Sequence, residues 1–379
     1  MSAFYQDFKL GVLGGGQLGR MMIQSAIDFN IDVHVLDPDP NAPCKNIATT
    51  FQSGALTDFD TVYEFGKSCD LITIEIENVN TEALLKLQSE GKKVFPQPEV
   101  IKLIQNKLHQ KQFYKDNGIP TSPFTPTANK DEVMSQKGFL PFVNKLETEG
   151  YDGRGVQVIS SEQDLGKAFE APSFVEKLVE FEVEIGVIVA RNEKGEIKSY
   201  PTVEMAFHPE KNLVEYLFSP ATLAQDIEKK AQEIAATIIE KLDMVGLLAV
   251  EMFVTKEGEV LVNEVAPRTH NSGHQTIEGN VTSQFEQHLR ATLNMPLGDT
   301  STVIPTAMVN LLGEEGHTGQ ARYEGLDKVL EQDGVHLHLY GKKITKPFRK
   351  MGHVTIAHKE LNGLKEKVKF VKEHLKIIA

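Results

Sequence analysis

The chain has 379 residues, 53 acidic and 40 basic side chains, a formal net charge of −13 and 40% hydrophobic residues. That length exceeds one typical core, so two or three domains are expected, with the composition of a water-soluble globular protein. The acidic balance argues against a nucleic-acid partner, which would call for a basic surface.

The start, Met1 to Asp7, lacks a basic run and a long apolar stretch. No leader is therefore expected, and no segment is apolar enough over sufficient length to make membrane a partner. Residues 9–13 read as a short apolar strand, followed by Gly14-Gly15-Gly16-Gln17-Leu18-Gly19. Residues 20–29 read as a helix with Met21, Met22, Ile23, Ala26 and Ile27 inward, and residues 31–36 as a second strand ending at Asp37. Strand, glycine turn, helix and strand make a β-α-β unit, so a parallel sheet is expected. Cys44 and Cys69 have neither metal nor disulfide spacing, which fits a reducing compartment, the cytoplasm. Residues 71–76 form another strand, with Glu75 and Glu77 on one face at its C-terminal end, where open α/β sheets hold ligands. A helix over 81–90 follows, and residues 94–98 close a first domain.

A helix over 99–117 carries Lys107 and stops at Gly118-Ile119-Pro120. Residues 123–182 alternate short strands with glycine turns, and Lys145 ends one of those strands. Strands are expected over 185–190, 199–205 and 213–219, and a long amphipathic helix over 224–242. Next come a hairpin, a helix over 282–293, and short strands that include 335–340 and 353–357. A basic helix over 361–378 ends the chain.

The hairpin is the most informative stretch. Two β-branched, apolar runs flank Lys256-Glu257-Gly258-Glu259, a turn signal. With Glu257-Gly258 as the loop, Glu251 falls opposite Glu264. Like charges facing across strands destabilise a sheet, so a cation between them is expected. Hard oxygen ligands with room for phosphate point to Mg²⁺, and Asn263 adds a third oxygen. The loop Arg268-Thr269-His270-Asn271-Ser272-Gly273-His274 then offers donors for an anion. A solvated hairpin would also fit the two glutamates, and one residue more in the loop moves the register; the dense polar loop weighs against it.

Other segments are ambiguous singly. Gly14 to Gly19 with Asp37 fits a dinucleotide fingerprint, which alone would mean an NAD-dependent oxidoreductase; its physical content is only N–H groups able to hold a phosphate. Gly150-Tyr151-Asp152-Gly153-Arg154-Gly155-Val156 reads as a phosphate-covering flap or a plain turn. Glu176-Lys177-Leu178-Val179 offers backbone groups to an adenine edge, and Glu184 a carboxylate to ribose. Lys342 and Arg349 flank a turn and are either surface charges or a phosphate clamp.

Taken in order, these segments resemble the ATP-grasp superfamily and, within it, the 5-(carboxyamino)imidazole ribonucleotide synthase family. The resemblance runs from Gly11 to Val354. It implies an N-terminal Rossmann-like α/β domain (residues 1–104), an ATP-grasp domain (105–300) with a small α+β lid at about 123–182, and a C-terminal mixed β domain (301–379). It further implies a homodimer that carboxylates 5-aminoimidazole ribonucleotide with bicarbonate and ATP, through carboxyphosphate. By resemblance, Lys107 and Lys145 would contact the ATP phosphates and adenine, Gly150 to Val156 would cover them, Glu176 to Val179 would hold the adenine and Glu184 the ribose, with His208 and Asn263 at the same nucleotide. Glu251 and Glu264 would bind Mg²⁺. Arg268, His270 and Asn271 would hold bicarbonate and the reacting amine. Gln17, Leu18, Glu77, Tyr151, Asp152 and Arg154 would meet the ribonucleotide, and Lys342 and Arg349 its 5′-phosphate. Four positions depart from the family pattern: Glu149 stands where Gly is usual, Val156 for Gln, Thr269 for Pro and Phe348 for Gly. Another ATP-grasp carboxylate–amine ligase is the neighbouring reading.

Overall fold

The computed structural model describes residues 7–148, 155–207 and 213–379. Tyr151, Asp152, Arg154, Gly150, Gly153, Glu149 and His208 lie outside the described residues. The first sheet holds β1 (Lys9–Leu13), β2 (Asp32–Asp37), β3 (Thr50–Ser53), β4 (Leu71–Ile74) and β5 (Lys93–Val94). All pairs are parallel, in the order β3-β2-β1-β4-β5. Val12 and Leu13 are both fully buried, as expected where helices cover both faces of a parallel sheet. Those helices are α1 (Gln17–Asp28), α2 (Phe59–Lys67) and α3 (Thr81–Ser89). α1 turns Met21, Met22, Ile23 and Ala26 inward, but Ile27 is 65% exposed. It lies about 100° past Ala26 around the helix and leaves the apolar stripe. β4 ends at Ile74, two residues earlier than expected, so Glu75 and Glu77 sit in the bend beyond the strand.

The expected helix over 99–117 is two helices, α4 (Pro98–Ile104) and α5 (Lys107–Asp116). Asn106 adopts extended geometry and its side chain accepts the His109 N–H at 3.0 Å. An Asn competes for backbone donors and so favours an N-cap over a helix interior. The break puts Lys107 on the first turn of α5.

The lid is a separate four-stranded antiparallel sheet among the described residues, ordered β6 (Phe124–Thr127), β9 (Ser173–Lys177), β7 (Phe142–Leu146), β8 (Val156–Ile159), with α6 (Lys130–Ser135) packed on it. Its own core holds Val133, Phe142, Ile159, Leu165 and Val175.

The largest sheet begins with β10 (Phe181–Arg191), β11 (Ile197–Ser199), β12 (Val203–Phe207) and β13 (Val214–Ser219). The run expected as one strand over 199–205 is split at Pro201, which cannot donate to a ladder. α7 (Gln225–Lys241) packs Ala231, Ile234, Ala235, Ile238 and Ile239 onto the sheet. β14 (Gly246–Thr255) and β15 (Val260–Ala266) form the hairpin, and α8 (Thr276–Gly279) and α9 (Gln284–Thr292) follow. β16 (Thr306–Leu312) then pairs with β13, so the C-terminal part extends the central sheet instead of building a sheet apart. Its remaining elements are β17 (Gly319–Gln320), β18 (Arg322–Glu324), α10 (Leu326–Leu330), β19 (Val335–Leu339), β20 (Ile344–Thr345) and β21 (Lys350–Ala357). The main order is β15-β14-β10-β12-β13-β16-β21-β19. The final helix, α11 (Leu361–His374), stops four residues short of the expected end; β22 (Lys376–Ile378) pairs with β18 and buries Ile377.

The hairpin reaches the expected pairing by a different route. The turn is longer than two residues, with the Thr255 N–H donating to the Glu259 carbonyl at 2.9 Å. Val254 therefore faces Val260, and Met252 faces Val262. A β-bulge then absorbs Asn263, and Glu251 faces Glu264 after all. An extra residue on one strand is what a bulge inserts.

The exposure of Ile27 is testable. Ile27→Lys should change unfolding free energy by less than about 0.5 kcal/mol, whereas Ile23→Lys, which buries a charge, should cost several kcal/mol. Urea denaturation of both variants measures this, and an equal loss in both would contradict the helix orientation.

Candidate active site

The bulged hairpin lies beside the lid, the first sheet and the C-terminal strands. Glu251 and Glu264 face one another on it. Burial and the facing Glu264 push the Glu251 carboxyl well above the usual carboxylate range. Glu264 is held well below that range, chiefly by Lys107, whose ammonium forms a very short ion pair with it. Glu184, on the neighbouring strand β10, is raised to about 8 by burial, then by Glu251 and Glu264. Three carboxylates thus crowd one face of the sheet, and a bound cation would relieve them. Among the described residues no three His, Cys, Asp or Glu side chains could cage an ion by themselves. A pair of carboxylates with the Asn263 amide fits a small hard ion that also needs phosphate oxygens.

The lid contributes a second charge cluster. Lys145 on β7 reaches Glu176 Oε2 at 2.9 Å and Asn263 Oδ1 at 2.9 Å. Glu176 on β9 also meets Lys111 of α5 at 2.5 Å, and both partners of that pair are almost fully buried. The Lys177 and Leu178 N–H groups are committed within the lid, to the Pro123 and Pro141 carbonyls. The Lys177 ammonium donates to the Phe139 and Leu140 carbonyls.

The third cluster faces the first sheet. Arg268 grips Glu77 with two hydrogen bonds, Nε to Oε2 at 2.5 Å and Nη2 to Oε1 at 3.1 Å. Burial would raise the Glu77 carboxyl, but Arg268 outweighs it and holds Glu77 below its ordinary value. His270 lies between this pair and the hairpin, its Nε2 3.7 Å from Glu251 Oε1 and its Nδ1 2.9 Å from Ser272 Oγ. Burial, then Arg268 and Lys350, lower it to about 3, so the imidazole is neutral. Gln284 fixes the loop at both ends of the residue, accepting the His270 N–H at 2.8 Å and donating to its carbonyl at 2.7 Å. The Asn271 amide pairs reciprocally with Asn310 at 2.8 and 3.0 Å. Thr269 is fully buried and its hydroxyl has no protein partner.

Gln17 and Lys342, 325 residues apart, meet at 2.9 Å. Arg349 instead donates to the Ile344 carbonyl of its own loop at 2.6 Å. Phe348 beside it sits at φ +62°, a left-handed conformation that favours glycine; that is the residue the family pattern has there.

The glycine turn does not cradle a dinucleotide. The Gly15 N–H donates to Asp37 Oδ2 at 2.6 Å, and the Leu18 N–H to Glu75 Oε1 at 3.1 Å. A Cβ on Gly16 would lie 2.4 Å from Glu75 Oε1. Two carboxylates fill the place a pyrophosphate would need, which removes the oxidoreductase reading. Glu75 itself is raised to about 7, mainly by burial.

Lys111, Gln284 and Asn310 escaped the sequence reading. Lys111 gave a faint signal, one helical turn after Lys107 and on the same face as the buried Tyr114. Asn310 gave none, because its partner is 39 residues away on a loop.

A lysine-bearing lid set against an acidic antiparallel sheet defines an ATP-grasp enzyme. The ATP-grasp domain family matches residues 112–285, the ribonucleotide synthetase preATP-grasp domain 8–105, and the phosphoribosylaminoimidazole carboxylase C-terminal domain 306–367. The chain belongs to the N5-carboxyaminoimidazole ribonucleotide synthase family of ATP-dependent ligases. The Bacillus subtilis synthase of that name is 37% identical over 93% of this chain and 92% of that one. The phosphoribosylaminoimidazole carboxylase of Ogataea methanolica is 37% identical over 96% of this chain, which spans 68% of that longer protein. The crystal structure of the Thermotoga maritima synthetase matches with TM-score 0.91 and 42% identity over 98% of this chain and 99% of that one. An Aspergillus clavatus synthase in complex with ADP and 5-aminoimidazole ribonucleotide matches with TM-score 0.88 and 34% identity, over 97% and 98% of the two chains.

The Arg268–Glu77 clamp carries a pH signature. Glu77 has a depressed value in the fold, so its contribution is present above the unfolded glutamate value and fades as pH falls through the folded one. Glu77→Gln should cost about 1.5–3 kcal/mol at neutral pH, undiminished down to about pH 5 and shrinking only below the ordinary glutamate range. Denaturant unfolding of both proteins across that range measures the gap, and a gap that closes between neutral pH and 5 would contradict the assignment.

Proposed function

We propose that this site uses ATP and bicarbonate to N-carboxylate 5-aminoimidazole ribonucleotide, giving the carboxyamino ribonucleotide of purine biosynthesis. The observation that carries the proposal is the position of His270 between Glu251 of the metal-fit hairpin and the Arg268–Glu77 clamp. An anion there would touch the nucleotide phosphates on one side and the ribonucleotide amine on the other.

A bicarbonate oxygen attacks the γ-phosphorus, and the β,γ-bridging oxygen leaves with ADP. The product carboxyphosphate then yields its carboxyl carbon to the amine, directly or as CO₂; inorganic phosphate leaves and the amine loses a proton. Phosphoryl transfer needs positioning and charge neutralisation more than covalent help. Lys107 and Lys145 supply positive charge at the phosphates; by the family resemblance residues 150–156 and His208 would serve the same nucleotide. Val179, with Glu176 to Leu178, lies at the adenine and Glu184 at the ATP ribose. Glu251 and Glu264, with Asn263, would hold Mg²⁺, which would supply positive charge against that developing on the phosphates. Arg268 meets the bicarbonate or carboxyphosphate anion. The neutral His270 offers a nitrogen to the same group, and Asn271, locked by Asn310, completes that wall. Gln17, Leu18, Glu77, Tyr151, Asp152 and Arg154 hold the ribonucleotide, with Lys342 and Arg349 at its 5′-phosphate. A homodimer in the cytoplasm is the assembly and location that accord with this reading; both cysteines are buried thiols.

ADP release with Mg²⁺-ATP and bicarbonate should rise when 5-aminoimidazole ribonucleotide is added, with loss of its free amine. ATP turnover indifferent to the ribonucleotide would shift the reading to another carboxylate–amine pair. Glu264→Gln should lower kcat/KM for Mg²⁺-ATP on the order of 10²-fold or more, and ordinary turnover in that variant would remove the metal assignment.

A further inference from the structure

Lys111 is 2% exposed, yet its ammonium meets acceptors from three other parts of the fold. It donates to Glu176 Oε1 on the lid at 2.5 Å, to Thr121 Oγ1 on the connection after α5 at 2.7 Å, and to the Val262 carbonyl of β15 at 3.3 Å. Three N–H bonds meet three acceptors, which suits a compact ammonium better than a planar guanidinium. The other oxygen of Glu176 meets Lys145, the lid lysine that also reaches Asn263. One carboxylate is therefore shared between two ammonium groups borne on different elements.

From this geometry we infer that Lys111 is a positioning residue for nucleotide binding: it engages Glu176 so that this carboxylate aims Lys145 without cancelling its charge. The inference rests on the reading of Lys145 as a phosphate contact. The charge count explains why a second lysine is needed. Lys111, Glu176 and Lys145 together carry one net positive charge. With an apolar residue at 111, Glu176 and Lys145 would form a closed neutral pair, and the attraction that Lys145 exerts on a polyphosphate would be largely offset. Retaining Lys145 without Glu176 would keep the charge but release the side chain from its aim at Asn263. Burial, opposed by Glu176, lowers Lys111 to about 8, while the two lysines outweigh burial and hold Glu176 below its ordinary value; the cluster is ionised at neutral pH. The same ammonium ties the lid strand β9 to the hairpin strand β15, so the lid lysine and the hairpin carboxylates share one reference frame.

The test is direct calorimetric binding of Mg²⁺-ATP, without ribonucleotide, to the full chain and to Lys111→Met, Glu176→Gln and the double variant, with thermal melting of the same samples. Lys111→Met should weaken binding on the order of tenfold or more, because Lys145 becomes paired and neutral. The double variant, which frees Lys145 again, should regain binding to within about threefold of Glu176→Gln. Packing alone predicts no recovery, so a double variant as weak as Lys111→Met overturns the inference, as does unchanged binding in Lys111→Met. Where Lys111→Met fails to fold, the double variant decides: binding close to that of Glu176→Gln supports the inference, and its loss overturns it. An unmutated chain that binds no Mg²⁺-ATP removes the nucleotide reading and this inference with it. Normal nucleotide binding with no ribonucleotide-dependent turnover would sink only the carboxylation reading and leave this pattern intact.

Discussion

The arrangement depends on one repulsion: Glu251 and Glu264 are set face to face across adjacent antiparallel strands, Glu251 largely covered and Glu264 partly so. Two carboxylates in such a place oppose folding, since each loses hydration and each raises the free energy of the other. The fold tolerates them because the strands beneath are held by an apolar core of Val250, Met252, Val254, Val260 and Val262 with α7 behind. The bulge at Asn263 is what makes the pair possible. Without it the register of the outer hairpin would set Glu251 against Asn263, and the charge concentration on that face would be halved. The bulge also turns an amide toward Lys145 beside a carboxylate turned toward Lys107.

Around that acidic face the cations are arranged in partly neutralised groups. Lys107 pairs with Glu264, and Arg268 pairs with Glu77. Each carboxylate fixes a long flexible side chain in a single direction, at a cost in net charge. Lys111 restores some of that charge at Lys145. His270 joins the groups without adding charge, because burial beside Arg268 and Lys350 keeps its ring neutral. The proposed site is therefore pre-oriented, acidic at the metal-fit end and cationic toward the proposed phosphate and anion positions, the electrostatic form that positioning catalysis requires.

Much of this was legible in sequence because its signals are local. The β-α-β start, the hairpin and the polar loop after it each declare themselves within one short continuous stretch. The pairing of Glu251 with Glu264 was anticipated through a two-residue turn that does not exist; a longer turn and a bulge offset one another. What stayed hidden depends on meetings between distant segments. Nothing near Lys111 indicates that Glu176 and Val262, 65 and 151 residues away, will surround it. The union of β16, β21 and β19 with the central sheet was likewise invisible, because a strand does not name its partner. The break at Asn106 follows from its capping chemistry, which helical periodicity on both sides masks.

The glycine turn shows why a short motif cannot carry a function. Gly14 to Gly19 has the spacing of a dinucleotide loop and does sit at a strand-to-helix turn, yet the ligand its glycines accommodate is part of the protein. Gly14 adopts φ +102°, and a Cβ there or on Gly16 would collide with Glu75. The N–H groups that a phosphate would claim are taken by Asp37 and Glu75. The turn thereby becomes a rigid rim whose next residues, Gln17 and Leu18, are held in place by that buried carboxylate. Gln17 then meets Lys342 from the far end of the chain. A loop geometry suited to gripping phosphate has been put to use in joining the first sheet to the C-terminal strands, so the proposed ribonucleotide end of the site is built from parts that pack on one another.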